Sequence, residues 1–100
     1  MSLIDWSDPE EMLGLLAEYV ADERLAERDD RRRTKFLNAL SSALTALASR
    51  GQELSTRAMI DRLREIYDGQ PAEFSADRAL VHLDDCIQEL ERIAVQEGGT

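Results

Sequence analysis

The side chains with the most chemical scope lie in one short stretch of the sequence. His82 is the only histidine and Cys86 the only cysteine, and on a helix they share a face with Asp85 and Glu89. An imidazole beside a thiol could activate a cysteine nucleophile or bind a soft metal. A zinc site needs three or four ligands, mostly Cys or His, so a single chain supplies too few. We therefore expect a surface imidazole beside a half-buried thiol, with no metal site and no catalytic residue.

Other catalytic and cofactor patterns are also missing from the sequence. Helical di-iron proteins use paired Glu-x-x-His motifs, and phosphate-binding loops are rich in glycine; neither occurs here. The acidic residues fall on the polar arcs of the expected helices, as Asp84 and Asp85 do, where water surrounds them. The sequence therefore predicts a protein that is not an enzyme and binds no cofactor.

The basic residues are concentrated in the middle of the chain. The whole chain carries a formal charge of −9. Residues 1–30 carry −8, residues 31–64 carry +6 and residues 65–100 carry −7. The basic block either balances acidic helices inside the fold or forms a binding face for an acidic protein or nucleic acid. The candidate interaction face consists of Arg31, Arg32, Arg33, Lys35, Arg57, Arg62 and Arg64.

Part of this basic block resembles a helix-turn-helix in outline. Residues 47–57 predict a helix end, a turn at Gly51, a cap at Ser55 and a second helix, which in such motifs enters the DNA major groove. Any corner between two capped helices has the same pattern. Moreover, a charge of −9 opposes DNA binding, which depends on neutralising phosphates. A homodimeric nucleic-acid-binding regulator using helices 2 and 3 is therefore the less favoured alternative.

The composition indicates which elements must position these side chains. Leucine and alanine total 26 residues, valine and isoleucine total 8, and aromatic residues make up 5%. This balance predicts an all-α protein, and 100 residues suit a single helical domain over 1–100. No apolar run approaches the length that a membrane span needs, so we expect no membrane contact. One cysteine excludes a disulfide framework.

Capping residues and helix breakers divide the chain into four helices. Their predicted bounds are about 8–29, 31–50, 55–68 and 75–97. Short connections favour an antiparallel four-helix bundle. Two leucine seams at heptad spacing support it; they consist of Leu37, Leu40, Leu44 and Leu47 in helix 2 and Leu80, Leu83, Ile87, Leu90 and Ala94 in helix 4.

Two features of the first half of the chain lead to further expectations. Residues 21–35 include 11 charged residues and no glycine or proline. A turn at Asp29–Asp30 that caps the next helix is the favoured interpretation, because the apolar stripe stops and restarts there. The alternative is one continuous helix over 9–50 that dimerises, supported by the i,i+4 pair of Glu27 and Arg31.

Gly14, inside helix 1, suggests a close helix crossing.

The favoured function is a small, acidic, non-enzymatic module that binds a partner protein. The acidic helices 1 and 4 would attract a basic partner and accelerate association. An adaptor, an immunity protein or antitoxin, an anti-sigma factor and a chaperone all fit this description. Homodimer formation through the leucine seams is a further expectation. The single cysteine, and the absence of an export signal in residues 1–6, favour the cytoplasm.

Overall fold

The computed structural model describes residues 8–98, which form four α-helices and two short 3₁₀ segments. The helices are α1 (Pro9–Ala26), α2 (Arg31–Ser49), α3 (Thr56–Asp68) and α4 (Arg78–Gly98). The 3₁₀ segments, Gly51–Glu53 and Ala72–Phe74, precede α3 and α4. Since these 91 residues include no strand, the predicted all-helical class is confirmed.

Three of the helices begin at capping side chains, and the sequence predicted the caps of α2 and α3. Asp8 caps α1 and Asp30 caps α2, each accepting hydrogen bonds from two backbone N–H groups of the first turn. Ser55 caps α3 through one such hydrogen bond of 3.1 Å. These side chains satisfy donors that have no partner within the helix, which fixes where each helix starts.

The connection between α1 and α2 is a turn in which Asp30 caps α2. The favoured interpretation is therefore confirmed, and the alternative of one continuous helix over 9–50 is wrong. The predicted end of helix 1 at residue 29 is also too late, because α1 ends at Ala26 and Glu27 has an extended backbone. The Glu27 carboxylate accepts hydrogen bonds from two backbone N–H groups of the turn. It also pairs with Arg33 at 2.9 Å rather than with Arg31. Glu27 therefore stabilises the turn and not a continuous helix.

The last helix begins three residues later than the predicted start at Ser75. α4 begins at Arg78, and Asp77 accepts a hydrogen bond of 3.0 Å from a backbone N–H group in its first turn. The second 3₁₀ segment occupies the preceding residues and ends at Phe74, whose ring stacks on Phe36 of α2 with centroids 4.3 Å apart. Packing of this ring holds the chain in the 3₁₀ segment before α4.

One hydrophobic cluster includes residues of all four helices. The seam leucines of α2 and α4 lie at its centre, and α1 contributes Leu13 and Val20, which are fully buried. Helix α3 contributes Ile60 and Leu63. The fully buried seam residues are Leu37, Leu40, Leu44, Leu80, Leu83 and Leu90. The seams are therefore satisfied within one chain.

Gly14 does not mark a close helix crossing, so that prediction is wrong. The residue is exposed, and a Cβ atom built on it would meet no heavy atom within 4 Å. Leu13 and Leu16, on other sides of α1, are buried instead. Glycine at this position therefore lowers helix propensity without providing a packing contact.

Candidate functional site

An open cleft of about 450 Å³ lies between α1 and α4. Its lining from α1 is apolar and aromatic, and its lining from α4 combines apolar and polar groups. Leu15 and Tyr19 are half-buried, whereas Met12 and Leu16 are buried at its base. The lining residues, here called the α1–α4 cleft, are Met12, Leu15, Leu16, Tyr19, His82, Asp85, Cys86 and Glu89.

Helical spacing brings these residues to one side of each helix. The four residues of α1 are separated by three, one and three positions, and those of α4 follow the same pattern. Across the cleft the rings of Tyr19 and His82 are in contact, with centroids 4.2 Å apart. This contact closes one end of the cleft.

Carboxylates border the apolar lining on both helices. Asp85 and Glu89 line the α4 side. Exposed Glu11, Glu18 and Asp22 lie one turn from Leu15 or Tyr19 along α1. Glu89 pairs with Arg92. The other four acids form no ion pair with the side chains that the structure describes, so their negative charge remains available to a ligand.

The thiol of Cys86 and the phenol of Tyr19 are held in their neutral forms in the cleft. Burial, and then the charge of Glu89, raises the pKa of the Cys86 thiol to about 11. At neutral pH it is therefore a protonated, small apolar group, whereas nucleophilic attack and metal binding need the thiolate. Burial and the nearby Glu23 carboxylate also raise the pKa of Tyr19, and its hydroxyl donates to Glu23 Oε1 at 3.4 Å. The cleft can bind apolar groups but does not present an activated nucleophile.

Metal ligands do not converge in the described part of the chain. Across those residues, no group of three or more His, Cys, Asp or Glu side chains is placed to hold a metal ion. His82 is exposed, as predicted, whereas Cys86 is buried rather than half-buried.

Towards the end of α1, past Tyr19, a cluster of charged residues joins α1 to α4. This group is here called the Arg33 cluster and consists of Arg33, Glu23, Glu27, Asp77 and Arg78. Arg33 binds both carboxylate oxygens of Asp77, at 2.7 and 3.0 Å, and Glu27 at 2.9 Å. Glu23 accepts from Arg78 and lies 3.5 Å from Arg33. The Arg33 side chain is 14% exposed. The cluster thus connects α1, α2 and the start of α4.

These contacts favour the charged forms of the acids. The hydrogen bonds from Arg33 hold the pKa of Asp77 below its usual range, against the effect of burial. Burial alone would raise the pKa of Glu23, but the hydrogen bond and charge of Arg78, with the charge of Arg33, lower it. The same carboxylates raise the pKa of Arg33. The cluster is therefore fully ionised at neutral pH.

The other six residues of the candidate interaction face do not form one continuous surface. Arg31, Lys35 and Arg57 are exposed, and none of them forms an ion pair with a described residue. The other three arginines form ion pairs. Arg32 pairs with Glu73 at 3.5 Å, Arg62 with Glu65 at 3.5 Å and Arg64 with Glu91 at 2.6 Å. The structure brings Arg31 and Lys35 together near the α1–α2 turn. Arg62 instead borders α2 at Ala43 and Ala46.

Sequence reasoning missed the α1–α4 cleft, because the periodicity of helix 1 shows an apolar stripe but not which part of it another helix covers. The available signal was the width of that stripe. Met12, Leu15 and Tyr19 form one arc of α1, while Leu13 and Val20 form another. Two adjacent arcs need two covering helices, and α4 leaves the outer part of the first arc open.

Comparison of the chain with protein-family models, curated proteins and solved structures found no match. Within residues 8–98, no helix is both long enough and apolar enough to cross a membrane.

Proposed function

We propose that this protein is a non-enzymatic interaction module whose α1–α4 cleft binds a basic, amphipathic helix of a partner protein. The observation that carries the proposal is an open, mostly apolar cleft with the unpaired carboxylate of Asp85 in its lining and exposed acids of α1 one turn away. Helical segments bind such clefts through apolar residues at i, i+3 or i+4, and i+7. Acids at the border select lysine or arginine on the flanks of the bound helix.

Typical free energies indicate how much of the binding comes from apolar contacts and how much from charged ones. Burying one large apolar side chain contributes about 1.5–3 kcal/mol, whereas association itself costs at least about 4 kcal/mol. Two or three apolar anchors are therefore needed. The border acids, on a chain of charge −9, mainly accelerate the encounter and select its orientation.

The proposal includes an antiparallel bundle, in which α1 and α4 run in opposite directions. Two contacts support this arrangement. Glu23, late in α1, pairs with Arg78 at the start of α4. Tyr19, one turn earlier, contacts His82, one turn later. A basic helix in the cleft would then lie beside both α1 and α4.

We also propose that the module acts in the cytoplasm, where a lone cysteine such as Cys86 stays reduced.

A homodimer would need a surface other than the leucine seams, since these are buried within one chain. Light scattering after size exclusion measures the mass directly.

The test is binding of a labelled helical peptide of about 16 residues, long enough for a helix to form, with leucine on one face and lysine on the other. Leu15→Asn should weaken binding about tenfold, because it removes roughly 1.4 kcal/mol of apolar contact in the cleft. Leu25→Asn is the matched control on the same helix, since Leu25 is 66% exposed and outside the cleft.

The measurement is fluorescence anisotropy, repeated with a peptide in which every lysine is replaced by glutamate. The proposal requires the lysine peptide to bind more tightly. Equal binding of both peptides, or equal loss of affinity in both variants, would contradict it.

The second candidate function is a nucleic-acid-binding regulator using α2 and α3. One observation favours it: Arg57 is exposed in the first turn of α3, the part of a recognition helix that contacts base edges. Retardation of duplex DNA at ~50 mM salt, lost when Arg57, Arg62 and Arg64 become Ala, would support this function. Absence of retardation would exclude it.

A further inference from the structure

A charged surface distinct from the α1–α4 cleft lies where the end of α1 meets the start of α2. It is an open cleft of about 550 Å³, and Thr34, Asn38 and Glu27 contribute to its lining. None of these residues belongs to the α1–α4 cleft. The remaining lining residues are all basic and are here called the basic patch: Arg24, Arg28, Arg31 and Lys35.

The positive charge of the basic patch is not neutralised by the described part of the chain. None of its four side chains forms an ion pair there; Arg24 donates only to the neutral amide of Asn38, at 3.5 Å. Glu27 is the one carboxylate in the lining. It is already bound to Arg33 at 2.9 Å and to two backbone N–H groups of the turn.

Gathering these cations opposes stability. Arg31 and Lys35 stand at i,i+4 on α2, a spacing at which like charges repel. The chain has nearly twice as many acidic as basic residues, 21 against 12, yet no free carboxylate lines this surface. Four unneutralised cations on one side of an acidic protein complement an anionic ligand.

We propose that the basic patch is a docking surface for a short acidic segment of a partner protein, with a phosphorylated serine or threonine as its strongest ligand. Guanidinium groups bind phosphate through two parallel hydrogen bonds. Clusters of arginine are a recurrent means of recognising phosphorylated and acidic motifs.

The patch fits a compact anion better than a nucleic-acid strand. Arg31 and Lys35 are separated by about 6 Å along the helix axis, given a rise of about 1.5 Å per residue. No aromatic residue lines the patch, although single-stranded nucleic acid is usually held by stacking its bases on aromatic rings.

The test uses a labelled peptide that carries one phosphoserine among acidic residues, the same peptide without phosphate, and a single-stranded oligothymidylate. Anisotropy at ~50 mM salt gives each affinity. We expect the phosphopeptide to bind most tightly and Arg31→Glu to weaken its binding at least about tenfold. Arg57→Glu makes the same charge change at an exposed, unpaired arginine of α3 and should change the affinity less than about twofold.

Leu15→Asn should bind the phosphopeptide as the unmodified protein does, which separates this surface from the α1–α4 cleft. Circular dichroism checks that each variant is folded. Three outcomes would overturn the proposal: no binding of the phosphopeptide, equal loss in Arg31→Glu and Arg57→Glu, or tighter binding of the oligothymidylate.

Discussion

Helices α1 and α4 meet in two different ways along their length. Around Leu15 and Cys86 they border an open, mostly apolar cleft. Around Glu23 and Arg78 they are instead joined by the ion pairs of the Arg33 cluster. One helix pair is therefore open over one stretch and fixed over the next, with the Tyr19–His82 contact at the boundary.

This difference explains how an apolar cleft can remain open in water. Exposed apolar surface favours collapse of the two helices onto each other. The hydrogen bonds of the Arg33 cluster join α1, α2 and the start of α4, and we expect them to resist such a collapse. A cleft held open in advance binds a ligand without first having to reorganise.

The largest effect should come from removing the centre of the Arg33 cluster. Arg33→Met leaves Asp77 and Glu27 without their main partner, and we expect a loss of about 2 kcal/mol in the free energy of unfolding, less than for a fully buried pair. Urea denaturation measures it. Affinity for the leucine–lysine peptide should fall as well, because the helices lose the hydrogen bonds that resist their collapse.

Arg31→Met is the matched control for this substitution. Arg31 precedes Arg33 by two positions but is exposed and forms no ion pair with a described residue. Its loss should change the free energy of unfolding by less than about 0.5 kcal/mol. Similar destabilisation by both substitutions would show that the cluster does not fix the two helices.

Lowering the pH should destabilise the protein as well, by a smaller amount, because it protonates the acids of the Arg33 cluster. The folded-state pKa values of Asp77 and Glu23 lie below their ordinary values of 3.8 and 4.5. Their contacts therefore stabilise the folded state above those ordinary values, and this stabilisation is lost as pH falls through them toward the folded-state pKa values.

The expected result is that the urea midpoint falls more steeply on going from about pH 6 to about pH 3 in the unmodified protein than in Arg33→Met. Parallel pH profiles would contradict the assigned role of the cluster.

The smallest change in stability should come from a substitution at Gly14, in the part of α1 that borders the cleft. Gly14→Ala should raise the free energy of unfolding by about 0.5–1 kcal/mol, because alanine favours the helix and its Cβ would meet no heavy atom within 4 Å. Peptide affinity should stay unchanged, since Gly14 is not among the lining residues. A change in affinity comparable to that of Leu15→Asn would mean that stability, and not the cleft, controls binding.

The sequence was a good guide wherever local rules determine structure. The caps at Asp8, Asp30 and Ser55 follow from the preference of short polar side chains for free backbone N–H groups. The leucine seams follow from helical periodicity, and the structure buries them. Both patterns involve residues only a few positions apart.

The charged residues were harder to predict because their partners are distant in the sequence. Arg31, Arg32 and Arg33 are identical in type and adjacent, yet one is unpaired, one forms an exposed pair and one is nearly buried. The partner that distinguishes Arg33 is Asp77, 44 positions away. The cleft was missed for the same reason, since its opening depends on how far α4 covers α1.

Binding of a basic amphipathic helix in the α1–α4 cleft can be observed residue by residue. Titration of ¹⁵N-labelled protein with the leucine–lysine peptide, followed by amide chemical shifts, tests it most directly. We expect the largest shifts on residues 12–19 and 82–89, the two stretches that line the cleft. Largest shifts on α2 and α3, or no saturable shifts, would contradict it.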